Sequence, residues 1–390
     1  VLAVLVTATA SAQTRSLELD LRDGQHLVAT SLTGSPEKGF TARVGNRDQK
    51  LAPGKLLAVR VQLAVAPKLL RVELVGGDVL HGAIAGGDAD GDHLELLSPV
   101  LGKVRVLIDR LEAVVQPGVH PSDQKLPEGV DEALFVSTGR GFDLLAGTLH
   151  RFGSQGVSFQ EDGVDDPRWC SPRRLSSLRL RGGMQPEKAP ALTLLTRAAD
   201  RVGLTLQSCG PDGLQATLET GQELKVAWND VACLCFNKDV VHLSSLKPKR
   251  VVQAGVNSEI THSWQRDRCV TGGELLAQGV AFGRGLGVHS RSRLTFTVPQ
   301  GATHFMTRVA MDDSAAELPV RAHAEARVLL GNKLLFEVKN LVPATVPHDA
   351  GMHAVKGGDT ITLEVDFGRG RDIGDRVNWL LPMFLMRSRS

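Results

Sequence analysis

Arginines and aspartates crowd the last third of this 390-residue chain: Arg291, Arg293, Arg369, Arg371 and Arg376 beside Asp312, Asp313, Asp366, Asp372 and Asp375. Forked guanidinium donors next to carboxylates can clasp vicinal hydroxyls or an acidic group through paired hydrogen bonds. The same charges also suit solvated loops. Upstream, Asp88, Asp90 and Asp92 with Glu95 have the oxygen density that calcium takes. They lack the spacing of a twelve-residue calcium loop, and Asp-Gly there reads as a hairpin turn. The acidic stretch Glu161 to Asp166 reads as a solvated loop. Five cysteines (Cys170, Cys209, Cys233, Cys235, Cys269) form neither C-x-x-C nor a zinc spacing, and are expected to pack as buried small hydrophobes. H-E-x-x-H, G-x-S-x-G and a P-loop are all missing, and the twelve His show no ligand spacing, so no catalytic machinery is expected. Gly283, Gly285 and Gly287 alternate without a following helix, which is no dinucleotide loop. They leave one strand face bare, for a large side chain such as Trp379 or Phe296 to cover.

The elements that must carry these residues are strands. Gly is abundant (41), while Tyr is absent and the aromatics are four Trp and twelve Phe. Short alternating runs punctuated by Gly and Asp turns mark strands and tight hairpins throughout. With 45 Lys and Arg against 43 Asp and Glu, no bulk charge favours nucleic acid or an anionic membrane. A hydrophobic fraction of 42% supports a buried core, and the length implies several domains.

Residues 1–12 form an apolar run ending in Ala10-Ser11-Ala12, a pattern that signal peptidase cuts. They are read as the remnant of a signal peptide, so the chain is expected to be exported, periplasmic or extracellular, and soluble. No cysteine precedes Cys170, so no lipoprotein anchor is expected at that cleavage site. No run reaches the roughly 18 apolar residues of a membrane span. Next come four segments of similar rhythm, at 17–62, 69–116, 131–181 and 190–247, with 117–130 as a linker. Five short strands in each would suffice for a small closed barrel, which removes exposed edges. The pattern resembles SH3-like and Sm-like barrels.

From about Val256 the texture changes to seven or eight longer alternating strands, those of a sandwich or jelly roll. Three pieces carry a family resemblance: the run Gly285-Leu-Gly-Val-His289, the Asp312-Asp313 pair after an apolar strand, and the Gly/Asp-rich turn before Asn378-Trp379. Over 256–388 the chain resembles the novel putative carbohydrate-binding module (NPCBM) family, with its galactose-binding-like jelly roll. The whole also resembles a planctomycete-type exported architecture in which small β repeats precede such a module. The fold expected is therefore all-β: tandem small SH3/Sm-like β-barrel repeats, then a galactose-binding-like β-sandwich. The resemblance implies a non-enzymatic glycan or polysaccharide binder, with His289, Arg291, Arg293, Asp312, Asp313, Arg371, Asp375, Asn378 and Trp379 as its sugar-binding set. It requires no cofactor and allows a structural calcium (Ca) on Asp312 and Asp313. One departure bears on the site. The family commonly follows its Trp with Ala-Asp and then Arg, whereas this chain has Leu380-Leu381-Pro382-Met383. Docking on an envelope protein, and service as an accessory part of a glycan-processing hydrolase, are the alternatives.

Overall fold

The computed structural model describes residues 16–119, 124–185, 190–256 and 262–387. The leader expected at 1–12 and part of the 117–130 linker lie outside the described residues. The protein is all-β, and among the described residues its helical structure is limited to short 3-10 turns.

The first 236 residues hold four five-strand units with one hydrogen-bonding order: fifth, first, second, third, fourth. In the first unit Leu17–Leu21 pairs with both His26–Ala29 and Leu56–Arg60. The second strand bends at Thr30 into Ser31–Ser35, which pairs with Gly39–Val44, and that in turn with Arg47–Leu51. The same order recurs in units beginning at Leu70–Leu74, Glu132–Ser137 and Leu192–Thr196. All four carry a register shift between the first and fifth strands, at Asp20/Leu21, Phe135/Val136 and Leu195/Thr196 on the first strand and at Leu111/Ala113 on the fifth strand of the second unit. Such bulges bend a strand and deepen its twist, which lets five short strands wrap a core. Alternation sets the inward face: in Glu223–Ala227 only Leu224 and Val226 are buried. Gly34 (φ 131°) lies opposite Phe40 in the next hairpin, where a Cβ would sit 2.3 Å from the Gly39 carbonyl oxygen.

The expected closed barrels are not formed. Among the described residues no ladder joins the fourth strand of a unit to its fifth. In the second and fourth units a 3-10 turn, Ile108–Arg110 or Trp228–Asp230, carries the chain between them. Each fifth strand instead spends its outer edge on another unit. Leu56–Arg60 pairs with Val231–Phe236, and Leu111–Val115 with Leu175–Leu180. The fifth-strand edges are therefore covered by pairing between units rather than by closure within each.

The remainder is a sandwich. One sheet contains Gln265–Arg266, Gly285–His289, Arg376–Met386, Ala302–Met311 and His348–Ala354; the other contains Arg250–Gln253, Ser292–Thr297, Thr360–Phe367, Ala324–Leu330 and Lys333–Leu341. Between them lie Leu286, Val288, Phe296, Phe305, Trp379 and Phe384, all fully buried. Val240–His242, expected within the fourth repeat, pairs with Arg376–Met386, and Arg250–Gln253 pairs with Ser292–Thr297. The sandwich thus begins earlier than position 256.

The two parts share a core. Leu57, Ala58, Leu195, Cys233 and Cys235 from the repeats pack with Leu275, Phe282, Leu380 and Met383 from the sandwich. Arg60 lies 4.6 Å over the Phe282 ring. All five cysteines are free and buried.

Candidate functional site

At one end of the sandwich, loops at 254–256, 289–291 and 366–376 meet. Ala254 and Arg291 exchange backbone hydrogen bonds at 3.1 Å, and the Val256 N–H donates to Asp372 at 2.7 Å. The Arg291 guanidinium lies 5.2 Å over the Phe367 ring, and its Nε donates to Asp366 at 3.1 Å. The arginine is thus held by an aromatic ring and a carboxylate while it remains about half exposed. Arg371 is exposed and sits in the left-handed region (φ 59°) at the tip of the turn. His289 stacks on His262 at 4.3 Å between ring centres. Burial lowers the His289 pKa, against the pull of the Ser290 carbonyl that its ring faces. Arg293, two residues along the strand from Arg291, pairs with Glu364 at 3.5 Å.

Beneath these loops Asp375 is fully buried. It accepts from the Ser290 hydroxyl at 2.6 Å and from the His323 N–H at 3.0 Å. Burial pushes its carboxyl up to about 6. Asp375 shapes the loops from below and offers no surface of its own.

Asp312, Asp313, Asn378 and Trp379 lie elsewhere. Asp312 accepts from the Asn378 amide at 2.6 Å and from the Ser314 N–H at 3.1 Å. Asp313 accepts from the backbone N–H groups of Gln278 and Gly279 at 2.9 and 2.8 Å. Together they pin the hairpin Leu275–Ala277/Val280–Phe282. N–H groups aimed at a carboxylate present positive charge where a cation would have to sit, so this pair does not fit calcium. Among the described residues no group of three or more His, Cys, Asp or Glu is arranged to hold a metal ion. Trp379 and Asn378 have no exposed surface, and Trp379 is a core side chain rather than a stacking platform.

The bare glycine face is also filled differently from expectation. A Cβ at Gly283 would meet the Cys235 Sγ at 3.1 Å, and one at Gly285 the Trp379 carbonyl oxygen at 2.4 Å. At Gly287 it would meet the Arg268 carbonyl oxygen at 2.3 Å. Backbone approach and the thiols occupy this face, not the ring of Trp379 or Phe296. Leu380, Leu381 and Met383, in the stretch where the resemblance implied Ala-Asp and then Arg, lie in the apolar core shared with the repeats. Sequence reasoning missed Phe367 and His262. Phe367 had a signal, as an aromatic residue beside Asp366 in the Gly/Asp-rich turn; His262 had none.

Residues 239–385 match the NPCBM/NEW2 domain family. No curated protein matches the chain. Among solved structures it is similar to CBM51 from Clostridium perfringens GH95 in complex with methyl-galactose, at 21% identity over 37% of this chain and 99% of that one, TM-score 0.33. It is also similar to the tandem CBM51 modules of Sp3GH98, the family 98 glycoside hydrolase from Streptococcus pneumoniae, at 12% identity over 95% of this chain and 88% of that one, TM-score 0.33. A third is CBM51-2 in complex with GlcNAc and INT domains from Clostridium perfringens ZmpB, at 19% identity over 47% and 41%, TM-score 0.33.

Proposed function

We propose that the NPCBM/NEW2 domain at 239–385 binds a glycan through its Arg291–Phe367 loop end, and that the chain is an exported, non-catalytic recognition protein. The observation that carries the site is Arg291, held over Phe367 and beside Asp366 while still open to solvent. A planar forked donor held beside a carboxylate and backed by an aromatic ring suits sugar hydroxyls. Arg371 and Asp372 at the neighbouring turn extend the same surface. Export is supported by the leader-like segment at 1–12, and a non-catalytic role by the lack of any catalytic motif in the sequence.

A glycan array probed with the whole mature chain tests this reading. Arg291→Ala is expected to weaken the selected glycan about tenfold, equal to ~1.4 kcal/mol. A blank array from folded protein, or binding that Arg291→Ala and Arg371→Ala both leave unchanged, counts against the site.

A second reading has its own observation. Ile373, Val256 and Val320 are exposed at the same end (55%, 45% and 39%), an apolar trio that suits a protein partner in the cell envelope. Envelope binding that free glycans cannot displace would favour it.

A further inference from the structure

Where the second repeat unit faces the sandwich, the surface opens into a crevice of about 700 Å³, within the usual range for ligand sites. Arg71 and Glu73 line one wall, Lys125 lies at the rim, and Trp264, Arg266 and Arg268 line the other. Four cations thus face a single carboxylate. That carboxylate is already divided, since Glu73 meets Arg71 at 2.6 Å and Arg179 at 3.3 Å. The nearby Glu274 is taken by Arg201 at 2.6 Å. Among the described residues no carboxylate lies within ion-pair distance of Lys125, Arg266 or Arg268. Among the described residues Arg268 donates only to the Gly272 carbonyl, at 3.2 Å, and the buried Arg71 Nε meets no acceptor. Burial lowers the Arg268 pKa; Glu274 pulls against this, and the charges of Arg71 and Arg201 add to it. The Arg266 guanidinium rests 5.2 Å over the Trp264 ring and donates to the Leu246 carbonyl, so it is positioned in advance. Partly desolvated positive charge without counter-charge favours an anion, and more strongly than the same charge in open water.

We propose that this crevice binds an acidic glycan segment, with carboxylate or sulfate groups reaching Arg71, Arg268 and Lys125 and the sugar chain lying along Arg266. Its size excludes a bare oxyanion as the full occupant. The preference for a glycan over other polyanions rests on the proposed role of the 239–385 domain, whereas the anion chemistry stands on the crevice alone.

Calorimetry on the whole chain, using an oligogalacturonate, a heparin-derived hexasaccharide, maltohexaose and a single-stranded oligonucleotide, tests it. One or both acidic sugars are expected to bind, maltohexaose not at this site, and the affinity to fall as salt rises. Lys125→Ala with Arg266→Ala, both exposed positions, is expected to cost at least tenfold for the acidic sugar. Arg291→Ala is expected to leave that binding unchanged. No binding of either acidic sugar, or binding that only Arg291→Ala removes, overturns the proposal. An oligonucleotide that binds as tightly through the same two residues overturns its glycan part. Failure of the loop-end reading would appear separately, as the loss of array binding that depends on Arg291.

Discussion

The repeats and the sandwich place their buried charge differently. In the repeats it lies at joints. Asp20 and Arg60 pair beneath the surface of the first unit, and Arg308 of the sandwich reaches Asp20 at 2.8 Å. Asp200 of the fourth unit accepts from the His81 N–H and the Ser98 hydroxyl of the second, at 2.7 and 2.9 Å. Arg201 reaches the Asp267 carbonyl and Glu274 across the seam, at 2.7 and 2.6 Å. In the sandwich, the buried Asp312, Asp375 and Asn378 bind the molecule's own loops and hairpin. Buried charge at the seam holds modules together, whereas Asp312 and Asp375 inside the sandwich anchor its own hairpin and loops.

The largest expected effect breaks the joint altogether. A fragment of residues 239–390 would expose Leu275, Phe282, Leu380 and Met383, which the repeats now cover. A contiguous apolar face of that kind promotes association. The fragment is expected to aggregate or oligomerise in size-exclusion chromatography where the whole chain does not. A monomeric, cooperatively melting fragment would mean that the seam is dispensable.

Next comes Asp20. Burial opposes its charge, and Arg60, His26 and Arg308 outweigh that, holding the carboxyl well below the usual range. Asp20→Ala removes the buried carboxylate that Arg60 and Arg308 share, leaving the buried Arg60 with Glu18 alone, and is expected to cost up to about 3–5 kcal/mol in urea unfolding. Because the folded pKa is depressed, this stabilisation is full above the ordinary value of 3.8 and is lost as pH falls towards the folded pKa. The variant should therefore lose less stability than the parent on acidification below 3.8.

What was legible in the sequence was local. Period-2 alternation located strands such as Ser292–Thr297 and Glu223–Ala227, because a half-buried strand must alternate. The all-β class followed from it. The absence of closure was not legible, since whether a fifth strand pairs within its unit or with another depends on partners more than a hundred residues away, as with Leu56–Arg60 and Val231–Phe236. The candidate site divided along the same line. Arg291 and Arg371 sit on exposed loops, but Asp312, Asn378 and Trp379 carry the family resemblance because they hold the fold, and a motif does not say which way its side chains face. The stretch Leu380-Leu381-Pro382-Met383 read as the loss of two polar positions; in the structure Leu380, Leu381 and Met383 join the core that holds Leu57 and Cys233 of the repeats.

Asp375 sharpens the contrast at smaller scale. Its folded pKa is raised from 3.8 to about 6 by burial, the reverse of Asp20. Between those values the unfolded chain has released a proton that the folded chain retains, so stability falls as pH rises through this window and levels off above it. Asp375→Asn keeps the shape and removes the titration. Denaturant midpoints of the variant should vary less than the parent's from 3.8 to about 6. An unchanged slope would mean that Asp375 is ionised in the fold and that its loops are held by charge.

The smallest expected effect is none. If Asp312 and Asp313 are occupied by backbone N–H groups, calcium gains nothing there, and ligand linkage can raise the melting temperature only through a site that the folded state provides. Melts in EDTA and in millimolar calcium are expected to coincide, while Asp313→Ala lowers the Tm equally in both by releasing the hairpin at Gln278 and Gly279. A calcium-dependent rise that Asp313→Ala abolishes would reverse the assignment. It would make the sandwich's buried carboxylates ligands first and loop anchors second, and the distinction from the repeats would then rest on Asp375 alone.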